Sequence, residues 1–295
     1  MSTAAIDRIA GAPISWGVCE VPGWGYQLEP SAVLAEMRQI GLAATEFGPD
    51  GFLPATPEGK AKTLADHGLH GLGGFTPVVL YRPDVDPAPV VNQVLDGFEA
   101  VGAKVLVLSA DSGMVGYDAR PDLDNVGWAT LLANLDRLAE LAAARGVKAV
   151  LHPHVGTMIE KPDEVQRVLE NSSISLCLDT GHLLIGGTDP AVLTRQAPER
   201  IAHTHLKDVD ASLAKRVQAG ELTYTQAVRE GMYRILGQGD VDIAGVIREL
   251  ESHGYDGWYV LEQDTILQDK PTGAGPVDAV EASANYVRSV LAGSS

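Results

Sequence analysis

Short apolar runs alternate with longer amphipathic segments from one end of the chain to the other. IAGAPISWG, AATEFG, HGLGGFTPVVL, KVLVLSA, KAVLHPH, SLCLDTGH, AHTHLKD and GWYVLEQ have the length and apolar density of strands. Between them, segments such as PSAVLAEMRQIG, NVGWATLLANLDRLAELAAARG and DIAGVIRELESHG repeat apolar positions at the helical period. Pro30 and Pro162 open two of the helical segments, and Gly41, Gly102, Gly146 and Gly254 close others. Eight strand–helix units predict an α/β fold, a parallel sheet closed into a (β/α)8 barrel. The runner-up, a doubly wound open sheet, usually carries a Gly-rich phosphate turn after its first strand, and none follows SWGVCEVPGWG. GAGP at Gly273–Pro276 comes late and reads as a loop.

No linker or shift of composition divides the 295 residues, so one barrel domain over 1–295 is expected. The rhythm breaks once, at DASLAKRVQAGELTYTQAVREGMYRILGQGDVD, a partly helical insertion at about residues 209–240. Insertions of this kind sit at the C-terminal face of a barrel, where active sites are built, which makes the segment a candidate lid.

Charge narrows the partners. With 22 basic and 39 acidic side chains the net charge is −17, which argues against nucleic acid and against an anionic membrane surface. No apolar run approaches the roughly 18 residues of a membrane span. The opening MSTAAIDRIAGAPISWG lacks the basic-then-apolar pattern of a secretory leader. Two cysteines, Cys19 and Cys177, are too few for a disulfide scaffold or a thiolate cluster. A cytoplasmic protein is expected, and a homo-oligomer is compatible with the composition.

Polar groups gather at the strand ends. His152 and His154 in KAVLHPH are two apart and so share one side of a strand, roughly 7 Å apart along it. Asp179 closes SLCLDTGH, with Cys177 one pleat lower; His203, His205 and Lys207 share one side of AHTHLKD; Glu262 ends the last run. Singly, each admits a structural role, since a strand-end Asp caps helices and an inward His is often a hydrogen-bonded core group. Four successive strand ends carrying His or carboxylate point instead to one divalent ion in a mixed N/O site. Without cysteine ligands the ion is of the Mn²⁺, Co²⁺, Mg²⁺ or Zn²⁺ type. Trp16 is a candidate aromatic wall for a sugar ring, or a core residue. Glu46 is a candidate partner for a substrate hydroxyl, or a loop cap. His70 sits too early in its run to reach the barrel mouth.

The blocks LHPHVGTMIEKPDEV, LCLDTGHLLIGGTDP, HTHLKDVDASLAKRVQAGELTYTQAV and GWYVLEQD, with PISWG and TEFGPDGFLP, carry a resemblance that covers nearly the whole chain. It resembles the xylose isomerase-like superfamily of sugar isomerases and epimerases, and within it is most similar to the myo-inosose dehydratases. That superfamily takes its metal ligands from strands five to eight as Glu, Asp, His and Glu. Asp179, His205 and Glu262 match the last three, while the first position here is His152. The dehydratase-like subgroup also has histidines there, so the departure points towards dehydration and weakens transfer of the epimerases' two-glutamate proton relay. The superfamily's apurinic endonucleases hold three metal ions; the extra histidines and the basic groove that they need are missing here.

The resemblance implies a metal-dependent dehydratase, a lyase of inositol catabolism acting on a cyclic polyhydroxy ketone such as 2-keto-myo-inositol (an inosose). Mn²⁺ or Co²⁺ is the favoured ion. His152, Asp179, His205 and Glu262 are the expected ligands; His154, Lys207 and His182 share the base, acid and oxygen-stabilising roles in an order the sequence leaves open. The alternatives are a ketose or inosose isomerase or epimerase, a β-eliminase of another 3-keto sugar or glycoside, and a non-catalytic sugar-binding barrel.

Overall fold

The structure, a computed structural model, describes residues 5–293. The first and last residues of the single-domain reading, and the start of the segment read for a leader, lie outside the described residues. Nine strands form one parallel sheet: β1 (Ile9–Gly11), β2 (Ala44–Thr45), β3 (His70–Gly71), β4 (Gly73–Val78), β5 (Val105–Ala110), β6 (Lys148–Leu151), β7 (Ser175–Asp179), β8 (Ile201–Leu206) and, later, Tyr259–Leu261. Between these last two a short antiparallel pair forms, β9 (Asp208–Val209) with β10 (Tyr233–Arg234), so Tyr259–Leu261 is β11.

The sheet runs β3-β2-β1-β11-β8-β7-β6-β5-β4. Its two ends are parts of one stretch of chain interrupted at Leu72, whose N–H donates to Thr45 while its carbonyl accepts from Lys104 and Val105. The sheet is therefore a nearly closed eight-position barrel, the expected (β/α)8 fold. Gly73 permits the bend at the join. It has φ 144°, and a Cβ there would lie 1.7 Å from the Val105 carbonyl oxygen.

Apolar side chains fill two layers. Between sheet and helices lies the main core, including Leu106, Leu131, Val165, Ile247 and Val287. Inside the barrel the packing residues are small or short: Ala10, Ala44, Leu72 and Val260 on one side, Val107, Val150 and Cys177 on the other. Small side chains at that level leave room above them for the polar groups of strands β6 to β8 and β11. Among the described residues, no helix is long and apolar enough to cross a membrane.

The sequence overstates the early strands. PISWG is a 3-10 turn over Pro13–Trp16 rather than the end of β1, because Pro13 lacks an N–H for the ladder and favours a first helical position. Residues 209–240 contain helices Ala211–Gln218 and Tyr224–Arg229, followed by the β10 strand. Asp208, fully buried, ties down the return of this segment: its carboxylate accepts from the N–H groups of Val209, Gly237, Gly239 and Val241.

Candidate active site and metal centre

Register brings the ligand candidates together. A shift in the β7–β8 pairing between Leu176 and Cys177 sets Asp179 directly opposite His205. Asp179 also caps helix Thr180–Gly186, with Oδ1 accepting from Gly181 N–H (2.9 Å) and His182 N–H (2.8 Å). The cap fixes the carboxylate and leaves Oδ2 for the site, 3.2 Å from His152 Nε2 and 3.7 Å from His205 Nδ1. The turn is laced to β8 through Thr180, whose hydroxyl donates to the Lys207 carbonyl and accepts from its N–H. At Gly181 a Cβ would meet the Lys207 stem at 2.7 Å, so only glycine lets the two segments approach this closely.

His205 Nδ1 lies 2.6 Å from Glu262 Oε2. Both atoms are buried, and neither makes a hydrogen bond. On its other side His205 is held by Glu46, whose Oε1 accepts from His203 Nε2 (2.8 Å) and His205 Nε2 (2.9 Å). His152, Asp179 and His205 present ligand atoms within 4.8 Å of one another, and so do Glu46, His203 and His205. In the second group Glu46 accepts from both histidines. In the first, His152 Nε2 lies at hydrogen-bond distance from Asp179 Oδ2, while His205 Nδ1 and, beyond it, Glu262 Oε2 are left without a hydrogen-bond partner, as atoms that a cation would join. Mixed imidazole and carboxylate donors suit a divalent first-row ion or Mg²⁺.

Electrostatics fit that assignment. Burial works against ionising Asp179 and Glu262, yet the groups beside them outweigh it, Lys207 foremost for Asp179 and His205 for Glu262. Both carboxyls therefore lie below the usual range, Asp179 well below it. Burial likewise opposes the Lys207 charge, but Asp264, Glu262 and Asp179 raise its pKa well above the ordinary value, so the group is an ammonium. Its Nζ is in short contact with Asp264 Oδ1, 3.3 Å from Glu262 Oε2 and 3.4 Å from His182 Nε2.

A cavity of about 390 Å³ opens onto this cluster, within the size range of small-molecule sites. Glu46, His152, His154, Lys207, Glu262 and Asp264 are among its polar lining residues. Val18, Trp24, Phe75, Val90, Val94 and Tyr117 form an apolar wall. His154 is half-buried there, its Nδ1 on the Val155 carbonyl at 2.7 Å, which makes Nδ1 the protonated nitrogen and leaves Nε2 with the lone pair. Burial, reinforced by His152 and Lys207, pushes its pKa down to about 3, so it is neutral at pH 7. Tyr117 stacks on its ring, and the His182 ring centroid lies 3.7 Å away.

One of the sequence expectations needs correction. Trp16 is no wall of the cavity: it is fully buried and donates its indole N–H to Glu36, because the Pro13 turn directs it into the outer core. The aromatic side chain from this region that lines the cavity is Trp24. Glu46 reaches the cavity, with its Oε1 serving two histidines. His182 is 1% exposed and faces the cavity through Lys207. Sequence reasoning missed Asp264, although it falls two residues after Glu262, and it missed Tyr224 and Tyr233 of the insertion.

Loops meet above the site. Tyr224 N–H donates to Asp118, the Tyr117 and Tyr224 rings pack with centroids 5.1 Å apart, and Arg229 donates to the Gly23 carbonyl.

A parallel barrel with catalytically competent groups gathered at the C-terminal ends of its strands is an enzyme scaffold, and this chain is an enzyme. It matches the xylose isomerase-like TIM barrel family over residues 34–289 and belongs to that family. Among curated relatives it is 30% identical to the inosose dehydratase of Geobacillus thermodenitrificans, covering 95% of this chain and 96% of the relative. It is 33% identical to the rhizopine catabolism protein MocC of Rhizobium meliloti, covering 87% and 81% respectively. Among solved structures, an L-ribulose 3-epimerase superposes with a TM-score of 0.70 at 18% identity, covering 99% of this chain and 96% of that one.

Proposed function

We propose that this chain is a metal-dependent hydro-lyase that removes water from a cyclic polyhydroxy ketone, with 2-keto-myo-inositol as the leading substrate. The observation that carries the reading is the pair of buried, hydrogen-bond-free ligand atoms, His205 Nδ1 and Glu262 Oε2, beside Asp179 and His152. The similarity to an inosose dehydratase along the whole chain supports the reaction class. His152, Asp179, His205 and Glu262 would hold one ion, with Mn²⁺ or Co²⁺ favoured by the mixed N/O set. When bound, the ion would supply Lewis-acid stabilisation of the negative charge that develops on the ketone oxygen.

The chain's own groups divide the remaining work. His154 Nε2, neutral and facing the cavity, takes the proton α to the ketone. Lys207, held as an ammonium on the cavity wall, donates a proton to the departing β-hydroxyl. His182 Nε2, behind Lys207, is positioned to share that proton. Residues 209–240 act as a cover that excludes water, and the described residues form one barrel domain. The free state of Cys19 and Cys177 supports a cytoplasmic location.

The test is to incubate the Mn²⁺-loaded protein with 2-keto-myo-inositol and follow the sugar by mass. Loss of about 18 mass units, one water, is expected from elimination by acid–base catalysis. An unchanged mass with carbon-bound deuterium gained from solvent means epimerase. No turnover of any ketosugar overturns the reading.

A further inference from the structure

Three carboxylates surround the Lys207 ammonium: Asp264 in short contact, Glu262 at 3.3 Å and Asp179 at 3.6 Å. Two of the three are proposed ligands. A dication between Asp179 and Glu262 repels an ammonium this close, in a site with little water to screen it. Charge balances when each cation has its own partners: Asp179 and Glu262 for the ion, Asp264 for Lys207. Asp264 is in turn fixed from its far side. Its Oδ2 accepts the Tyr224 hydroxyl, and Tyr224 and Tyr233 hydroxyls are 2.8 Å apart. Both tyrosines are buried, and both come from the 209–240 insertion.

We propose that Asp264 is a positioning residue: clamped by Tyr224, it takes the closest contact of the Lys207 ammonium, so that Lys207 pairs less closely with Glu262 and Asp179 and leaves them more available to the metal ion. The docking of residues 209–240 thereby controls the charge next to the metal centre. The inference rests on the metal-centre reading above.

Calorimetric titration of the metal-stripped full-length chain with Mn²⁺ tests it without any assay of activity. Asp264→Ala frees the ammonium to pair with Asp179 and Glu262, and Mn²⁺ binding should weaken on the order of tenfold. Lys207→Met removes the competing charge, so Asp264→Ala combined with Lys207→Met should bind Mn²⁺ as Lys207→Met alone does. Tyr224→Phe should weaken binding by a smaller factor, and it too should have no effect once Lys207 is Met. If Asp264→Ala does not fold, Asp264→Asn, which keeps the volume, runs the same cycle. Unchanged affinity in the single Asp264 variant overturns the inference. So does a loss of equal size in the Lys207→Met background, because Asp264 then acts on the ion through its own charge. Failure of the unmodified chain to bind Mn²⁺ overturns the metal-centre reading, and the inference with it.

Discussion

Glu46 holds His205 by its Nε2 at 2.9 Å and so presents Nδ1 to Asp179 and Glu262. A carboxylate behind a ligand histidine sets its tautomer and ring orientation, and removing such a partner typically costs about 10–100-fold in metal affinity. Glu46→Gln should therefore weaken Mn²⁺ binding by about that factor while the barrel stays folded. Equal titration curves for variant and parent would mean that Nδ1 is not the ligand atom.

Asp179 has two jobs that substitution can separate. Asp179→Asn keeps an oxygen to cap the helix but loses the ligand charge; Asp179→Ala loses both. Both variants should fail to retain metal by elemental analysis. The Ala variant should unfold more easily than the Asn variant by about 0.5–2 kcal/mol, the usual worth of an N-cap.

His154 lies beside the proposed ligands and is assigned outside them. His154→Gln keeps the volume and removes the basic nitrogen, and should lower the dehydration rate on the order of 10²–10⁴-fold with metal content unchanged. A near-normal rate would take His154 out of the mechanism.

Asp208 accepts four backbone N–H groups in the interior. Asp208→Ala strands those donors, and leaving even one unsatisfied costs about 1–3 kcal/mol. Denaturant unfolding should show a loss of at least about 3 kcal/mol, and limited proteolysis should open the chain near residues 236–241 first. An unshifted midpoint would show that water replaces the carboxylate without penalty.

Burial pushes both thiols, Cys19 and Cys177, up to about 12. At pH 8 the native protein should react slowly with a thiol reagent, and two thiols should titrate on unfolding. The sign of the linkage follows: an unfolded thiol ionises near 8.5 and the folded ones do not, so stability is intact below that pH and falls as pH rises towards 12. Unfolding midpoints with and without reductant should agree at neutral pH.

The barrel was legible because parallel strands buried on both faces leave near-continuous apolar runs separated by helical periods. The cluster of the proposed ligands was legible for a related reason. A period of two sends strand-end side chains such as His152 and Asp179 to the same interior as the apolar residues below them. Asp264 obeys that phase, but the apolar run stops before Glu262, and nothing in the run marks a second acid beyond it. Tyr224 and Tyr233 carried no signal at all, because their role comes from how an insertion docks rather than from any local period. Trp16 was misplaced by the Pro13 turn, which redirects a side chain that an extended strand would have aimed at the mouth.

The loops over the cavity are joined across their rim by a few polar contacts, Tyr224 to Asp118 and Arg229 to Gly23, with one aromatic pair between Tyr117 and Tyr224. Each such hydrogen bond is worth only about 0.5–1.5 kcal/mol net once water replaces the partner. Parting the rim is therefore a small thermal excursion, of the kind that recurs on the μs–ms scale, while the barrel beneath keeps its shape. Substrate entry and product exit are accordingly questions of how often three loops let go of one another, with Asp118 and Arg229 among the contacts that hold them.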